Sequence, residues 1–549
     1  MKIALAQLNY HIGNFALNTQ KIIAAIKEAE QQSAELVVFS ELCVCGYPPR
    51  DFLEFDDFIN QCYASVNEIA KHTNKVAVVL GSPRKNPVIE GKDLFNSAYF
   101  IYEGEVKHIA NKSLLPNYDI FDEYRYFEPG KTFEPVLFKG KKIALTICED
   151  IWNAGIDKPM YSTCPLDDAI KYGPDLIINI SASPFSYTHN RERMKIISAN
   201  VARYKLPVIY VNQVGAETEL IFDGGSMVMN EKGELVTQLP FFEEALEVVE
   251  FTEQGVKEPR VKNQELRNKP DIELIHNALI LGIKDYFGKL GFKKAILGLS
   301  GGIDSAVVLC LAAEALGKEN VMSLLLPSGF SSGHSVDDAK LLSENLGTKY
   351  EVVPVEDNFQ ATLKTLQPFF KDMPFNLAEE NLQARVRAII LMAFCNKFGY
   401  ILLNTSNKSE AAVGYGTLYG DMCGGLSVIG DVYKTQVYEL AKHINRNGEI
   451  IPLNIITKAP SAELRPNQKD SDSLPDYDIL DKILFQYIEK IQGPKELVAM
   501  GFEKILVDRI LKMVNMNEWK RFQTPPVLRV SPKAFGVGRR MPIEGKYLG

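Results

Sequence analysis

Short runs rich in β-branched residues alternate with longer amphipathic runs through most of this chain, and the alternation stops once, at a polar stretch from Gln254 to Pro270, before starting again. Alternation of that kind folds as sheet covered by helices, and a pattern that restarts needs a second core. In the first half, Ile3 to Leu8, Leu36 to Phe39, Val76 to Leu80, Ile143 to Ile147, Leu176 to Ile180 and Val208 to Val211 read as buried strands. Ala16 to Gln31, Asp56 to Lys71 and Arg191 to Tyr204 carry apolar residues three and four apart with charges opposite, as helices on a sheet do. A hairpin-like pair around Asn230 to Gly233 closes this half. From Asp271 come a helix to about Leu290, a strand Lys294 to Leu299, a helix from Ser305, a strand Val321 to Leu326 and a helix Val336 to Asn345, the order of a parallel sheet. At 549 residues the chain is too long for one core, so two α/β domains are expected, 1–255 and 271–549, joined by 256–270. The tail from Thr524 to Gly549, rich in Pro, Gly and Arg, reads as irregular but packed.

Composition narrows the function classes. A formal charge of −8, from 61 basic and 69 acidic residues, gives no reason to expect nucleic acid as a partner, so any phosphate binding must be local. Met1 leads into a strand-like run without a basic n-region or cleavage site, and no stretch approaches eighteen uninterrupted apolar residues, so neither a leader nor a membrane span is expected. The eight cysteines are scattered with no Cys-x-x-Cys pair, which argues against a zinc site and a disulfide framework and points to the reducing cytoplasm.

Ala295 to Leu309 places Ser300-Gly301-Gly302 between a buried strand and a helix. Glycines let backbone N–H groups approach an oxyanion, Ser300 and Ser305 add hydroxyls, and the helix N-terminus adds positive potential. The missing Gly-Lys-Thr/Ser excludes a Walker loop; a plain helix cap after a glycine turn is the alternative for the loop alone. The loop resembles the Ser-Gly-Gly-x-Asp-Ser signature of the ATP-pyrophosphatases. Glu379 to Arg387, Asn404 to Glu410, Gly414 to Asp421, Asp431 to Thr435, Pro460 to Pro466 and Lys520 to Pro526 resemble, in order, the NAD synthetases of that group. The resemblance implies a doubly wound parallel-sheet fold. It also implies that Gly298, Leu299, Ser300, Gly301, Gly302, Ile303, Asp304, Ser305 and Thr405 contact ATP, that Asp304 and Glu410 carry Mg²⁺, and that Asn381, Glu410, Asp421, Lys434 and Lys520 face deamido-NAD, with Lys434 on phosphate charge. Where that family has a basic and an acidic residue, this chain has Gly329 and Gly333, which leaves the adenosine-side contacts open.

In the first half, Phe39 to Pro49 sets Glu41 at a strand end, Asn111 to Phe127 carries Lys112, and Ile147 to Trp152 sets Cys148 after a strand. Singly, Glu41 reads as a solvated carboxylate and Cys148 as a small buried hydrophobe. The three in order resemble the nitrilase (carbon-nitrogen hydrolase) superfamily, which implies a four-layer α-β-β-α sandwich with Cys148 as nucleophile, Glu41 as general base and Lys112 on the oxyanion. Tyr118 and Ser183 match positions that hold glutamine. Thr188 and His189 stand where that family has a glycine and a lysine, so either His189 or Arg191 serves as the polar contact, or His189 has no role.

Fusing the two domains implies a glutamine-dependent amidation: ammonia freed at Cys148 serves an adenylate made from ATP, with Mg²⁺ as cofactor and glutamine, ATP and deamido-NAD as substrates. A homo-oligomer is implied by the same resemblance. An internal ammonia passage is a hypothesis of this reading, to be tested by competition with labelled external ammonium. A sensing module without turnover is the alternative, and the presence of all three triad residues and Asp304 argues against it.

Overall fold

In β1 (Lys2–Gln7) Ile3 and Leu5 point one way and Ala4 and Ala6 the other, and all four are fully buried. A strand apolar on both faces needs cover on both. A computed structural model provides that cover, describing residues 1–154, 158–252, 255–257, 269–331, 333–461, 463–465, 468 and 470–547. It divides into two compact units, Met1–Lys269 and Pro270–Gly549. The polar stretch read as a linker falls largely on 258–268, outside the described residues, as do Ala462 and Pro466 of the segment Pro460 to Pro466 and Ser332 between Gly329 and Gly333.

The first unit continues through α1 (Phe15–Gln31), β2 (Leu36–Val38), α2 (Asp56–Ala70), β3 (Ala77–Lys85), β4 (Leu94–Tyr102), β5 (Glu105–Asn111), β6 (Val136–Phe138), β7 (Lys141–Ile147), α3 (Pro165–Ala169), β8 (Leu176–Ser181), α4 (His189–Tyr204), β9 (Val208–Asn212), β10 (Val214–Glu217), β11 (Leu220–Asp223), β12 (Met227–Met229), β13 (Leu235–Gln238), β14 (Ala245–Thr252) and β15 (Gly255–Lys257). One sheet runs β15-β14-β1-β2-β3-β4-β5 and the other β13-β12-β9-β8-β7-β6. Ile3, Leu5, Val38 and Val79 of the first meet Ile143, Ile147, Ile178 and Val211 of the second between the sheets. Ala4, Val37 and Val78 pack outward on Ile22 and Ile26 of α1 and Val66 of α2, while Ile177 and Val208 pack on Ile196, Ile197 and Val201 of α4. These four layers are the expected α-β-β-α sandwich. Around parallel centres (β1-β2-β3 and β7-β8-β9), β4 and β5 form an antiparallel hairpin that the sequence pattern does not announce.

The second unit comprises α5 (Asp271–Leu290), β16 (Ala295–Gly298), α6 (Ile303–Leu316), β17 (Val321–Leu325), α7 (Gly333–Leu346), β18 (Lys349–Val352), α8 (Glu356–Phe370), α9 (Leu377–Phe398), β19 (Ile401–Asn404), α10 (Lys408–Val413), β20 (Leu426–Ser427), α11 (Lys434–Ile444), α12 (Leu453–Thr457), α13 (Tyr477–Ile488), α14 (Pro494–Ala499), α15 (Lys504–Met516) and α16 (Glu518–Arg521). Its sheet, ordered β18-β17-β16-β19-β20, is parallel throughout. The chain moves outward from β16 through β17 to β18, then returns to β19 on the other side. That reversal opens a crevice beyond the carboxyl ends of β16 and β19, where open α/β sheets bind ligands.

The tail is irregular yet anchored. Lys408 Nζ, fully buried, lies 2.9 Å from Asp431 and 2.8 Å from Glu489, donates to Ser531 Oγ at 2.7 Å and sits 4.7 Å from the Tyr433 ring centre. Asp431 accepts from the N–H groups of Val530 and Ser531 at 2.8 and 2.7 Å. Removing the ammonium leaves two buried carboxylates facing each other, so Lys408→Met is expected to destabilise the second unit by about 3–5 kcal/mol, measured at pH 8 as a lowered denaturant midpoint for its transition.

Candidate active sites

Three strand ends of the first unit converge. Glu41 follows β2, Lys112 follows β5 and Cys148 follows β7. A Cβ on Gly81 of β3 would lie 2.1 Å from Leu42 N, so only glycine lets β3 pass beneath the Glu41 turn. Lys112 Nζ lies 2.7 Å from Glu41 Oε1 and 2.8 Å from Glu123, all of it buried. Asn96 donates to Glu41 at 2.7 Å, Ala182 N to Glu41 Oε2 at 2.9 Å, and Tyr47 OH to Glu123 at 2.8 Å. Cys148 sits at φ +42°, a strained conformation for a residue with a side chain. Asp150 holds that turn by accepting from Ile147 N at 3.0 Å and from Ser113 N and Leu114 N at 2.9 Å, which ties Cys148 to the segment after Lys112.

Burial pushes the Cys148 thiol well above its ordinary value, Glu41 adds to the rise and Lys112 opposes it. Sulfur therefore keeps its proton at neutral pH and needs a base to attack. Burial also disfavours the Lys112 ammonium, but Glu123 and Glu41 together outweigh it and hold the charge. With one ammonium between two carboxylates, burial and Glu41 raise Glu123 to about 7 against the pull of Lys112. The cluster can thus supply a nucleophile, a base and a cationic donor to one carbonyl.

Tyr118 and Tyr161 each donate to Glu149 Oε1 at 3.0 Å, beside Cys148 in the chain. Ser183 Oγ lies 2.9 Å from His189 Nε2, and the His189 ring stacks on Trp152 at 5.0 Å. Burial pushes the imidazole down, toward neutrality, against Glu192. Glu123 and Glu149 lie within the quoted sequence motifs, but nothing there distinguishes them, and Asn96 lies on the unannounced β4.

In the second unit, Gly298 to Ser305 line a cavity of about 290 Å³ together with Thr405, Glu410, Asp421 and Lys434. Gly301 has φ +77° and a Cβ there would meet the Ser335 carbonyl oxygen at 2.3 Å, so both conformation and space demand glycine. Ser300 and Ser305 hydroxyls stand 3.2 Å apart and Ser305 donates to the Gly302 carbonyl at 3.0 Å, shaping the turn. Lys434 Nζ donates to Asp304 Oδ2 and lies 3.7 Å from Glu410, and Asn407 donates to Asp304 Oδ1 at 2.9 Å. Burial and Asp304 lift Glu410 to about 8, a sign of negative charge in excess of what Lys434 cancels. No group of three or more His, Cys, Asp and Glu among the described residues is spaced to hold a metal alone. Asp304 and Glu410 give two carboxylates, which suits a hard divalent cation that completes its shell from phosphate and water.

Asn381 and Lys520 do not line the cavity but gather at its neighbouring loop. Thr417 donates from Oγ1 to Asn381 at 2.7 Å and from N to Asp421 at 2.6 Å, while Lys520 donates to the carbonyls of Gly414 and Gly416 at 2.9 and 3.1 Å. At the departed segment, Gly329 N donates to Glu356 at 3.1 Å.

The carbon-nitrogen hydrolase family matches residues 2–260 and the NAD synthase family residues 275–524. A glutamine-dependent NAD(+) synthetase of Synechocystis sp. is 47% identical over 99% of both chains. Another, of Thermotoga maritima, is 39% identical over 100% of this chain and 99% of its own. Among solved structures, the glutamine-dependent NAD+ synthetase of Acinetobacter baumannii in complex with ADP matches with TM-score 0.79 and 37% identity, over 99% of this chain and 98% of that one.

The charges around Cys148 make opposite predictions for its neighbours. Lys112 favours the thiolate and Glu123 opposes it. Alkylation of Cys148 by iodoacetamide at pH 8, followed by mass spectrometry, is expected to be roughly tenfold slower in Lys112→Met and up to roughly tenfold faster in Glu123→Gln. Because Glu123 protonates as pH falls through about 7, the advantage of Glu123→Gln should vanish in more acid solution.

Proposed function

The chain belongs to the glutamine-dependent NAD(+) synthetases, and from that membership we propose how its two units divide the reaction. The whole is an ATP-dependent amidation of deamido-NAD to NAD with glutamine as nitrogen donor. The first unit, residues 1–255, is the glutaminase and the second, 271–549, the synthetase. One observation carries this division: each unit buries a lysine between two carboxylates, Lys112 beside Cys148 in one and Lys434, at the start of α11, beside the glycine loop in the other.

In the first unit Cys148 Sγ attacks the carboxamide carbon of glutamine as Glu41 takes the thiol proton, and Lys112 faces the oxyanion that forms. Collapse breaks the C–N bond, Glu41 returns the proton to the departing nitrogen, and ammonia leaves a glutamyl thioester. Water deprotonated by Glu41 then releases glutamate and restores the thiol. Tyr118, Ser183 and His189 hold the amino-acid end of glutamine, a role supported by the contact of the Ser183 hydroxyl with the His189 imidazole and by the link from Tyr118 to Glu149 beside the nucleophile.

In the second unit the loop Gly298 to Ser305, Thr405 and Lys434 receive the phosphates of ATP, and Asn381, Glu410, Asp421, Lys434 and Lys520 face deamido-NAD. The pyridine carboxylate displaces pyrophosphate from the α-phosphorus, and ammonia then displaces AMP from the acyl carbon. Asp304 and Glu410 would hold Mg²⁺, which when bound supplies positive charge to the phosphates. The raised carboxyl of Glu410 supports that fit.

We further assign a homo-oligomer and a cytoplasmic location. The first is supported by α9, where Ile389 is 69% exposed and Leu377, Met392 and Phe398 also face solvent. Apolar surface of that kind on one helix marks a contact. No described helix is long and apolar enough to cross a membrane. Ile389→Glu is expected to lower the sedimentation mass to that of a single chain; an unchanged mass excludes α9 as the contact.

The division of labour is tested by NAD formation from deamido-NAD, ATP and Mg²⁺, with glutamine or ammonium as nitrogen source. Cys148→Ala should lose glutamine-driven synthesis by more than about a thousandfold while keeping the ammonium-driven rate. Loss of both rates would refute the assignment of Cys148 to ammonia release.

A further inference from the structure

Three cationic side chains line the cavity of the second unit: Lys434, Lys458 and Arg387. Two are neutralised by the protein itself. Lys434 lies against Asp304 and Glu410, and Lys458 lies 2.8 Å from Glu463. Arg387 is different. Its Nε donates to the Leu326 carbonyl at 3.1 Å and its Nη2 to the Ser328 hydroxyl at 3.2 Å, and both acceptors are neutral. Among the described residues no carboxylate stands within ion-pair distance of it. Burial pulls the guanidinium below its ordinary value, with Asp421 and Glu463 opposing only from farther away.

Its place in the fold says which ligand group it meets. Arg387 lies on α9 one turn before Leu391, whose Cδ1 would be 3.4 Å from a Cβ on Gly298, the first residue of the glycine loop. The carbonyl it holds, Leu326, lies just past β17, and the Leu324 carbonyl of that strand accepts from Leu299 N of the loop at 2.9 Å. The guanidinium therefore stands at the loop's edge of the cavity. Asn381 and Lys520 gather instead at the segment 414–421.

Half-buried in the cavity wall, this cation loses part of its hydration with no counterion close by, and a ligand that brings the anion offsets that cost. We propose that Arg387 receives a phosphate oxygen of ATP, completing the anion site begun by the loop; this rests on the assignment of Gly298 to Ser305 as the phosphate loop. Its planar fork suits phosphate, because two N–H groups remain bound to Leu326 and Ser328 while others face the cavity. A purely structural role, pinning the segment 326–328, makes the opposite prediction for stability.

The test uses the full chain and Arg387→Gln. Calorimetric titration with ATP should show affinity weakened roughly 10- to 100-fold, the worth of one charge-assisted hydrogen bond. The KM for ATP in ammonium-driven synthesis should rise in parallel, with the KM for deamido-NAD within about twofold. The ligand-free melting temperature should hold or rise, since an uncompensated charge is gone, and the stabilisation given by ATP should shrink. ATP affinity within about twofold of wild type overturns the proposal. Should Arg387→Gln fail to fold, Arg387→Lys decides: it keeps charge without the fork, and a rise of about fivefold or more in the KM for ATP alone supports the proposal, whereas an unchanged value overturns it. Ser300→Ala tests the loop assignment separately. If it leaves ATP affinity intact, the underlying reading fails; if it weakens ATP while Arg387→Gln does not, only the role of Arg387 falls.

Discussion

A buried ammonium shared by two carboxylates is the interaction on which both sites depend. Lys112 lies between Glu41 and Glu123, and Lys434 between Asp304 and Glu410. Each cluster carries one more negative charge than positive when fully ionised, and in a poorly solvated place that excess has a definite effect. One carboxyl of each cluster, Glu123 or Glu410, is driven up to about 7 or about 8. Groups that titrate there exchange protons readily at neutral pH. Nothing so poised would exist if either lysine were exposed, since water would screen the carboxylates from each other.

What brings such groups together is the ordering of strand ends. In the first unit the hairpin β4–β5 carries Asn96 and leads into Lys112, and Lys112 N bonds to the Asn96 carbonyl at 2.8 Å, so two members of the cluster are fixed by one sheet edge. Gly81 allows the Glu41 turn to lie on β3, and Asp150 clamps the Cys148 turn to the chain beyond Lys112. In the second unit the reversal of strand order between β16 and β19 leaves Gly298 to Ser305 on one side of a crevice and Thr405 on the other.

Much of this was legible in the residues because buried strands write themselves as β-branched runs. Leu176 to Ile180, for instance, is read from sequence and lies within β8. The hairpin β4–β5 was not, because Asn96 and Ser97 interrupt the apolar run of β4 and β5 is exposed to half-buried, so neither reads as a buried β-branched run. Helix α9 was equally hidden: apolar residues occupy its exposed and its buried faces, so no 3.6-residue period stands out. Glu41, Lys112 and Cys148 could be picked out as a set, and the fold gathers their strand ends. Glu123 could not, although it lies eleven residues beyond Lys112, because only the folded return of that segment shows the two side chains touching. Asn381 and Lys520 illustrate the converse. Their motifs placed them at a ligand, while their bonds run to Thr417 and to the carbonyls of Gly414 and Gly416 beside the cavity.

The two sites differ in how their charges are balanced, and the difference matches the charge of what each is proposed to hold at its reacting centre. Around Cys148 every buried charge has a protein partner: Lys112 has two carboxylates, Glu123 has Lys112 and Tyr47, and Glu149 has two tyrosine hydroxyls. That closed arrangement suits the neutral carboxamide proposed for it, which would bring no charge to the nucleophile and acquire one only as the oxyanion formed. The cavity of the second unit is left open in two senses. Asp304 and Glu410, when both are ionised, carry more negative charge than Lys434 cancels, and among the described residues no carboxylate stands within ion-pair distance of Arg387. The opposite imbalances stand on separate elements, the guanidinium on α9 and the carboxylates on α6 and α10. On the proposed assignments a triphosphate with its divalent cation would correct both at once, the cation at the carboxylates and a phosphate oxygen at the guanidinium. Neither component alone would do so, and the same proposal therefore has the cavity favour the pair over either one.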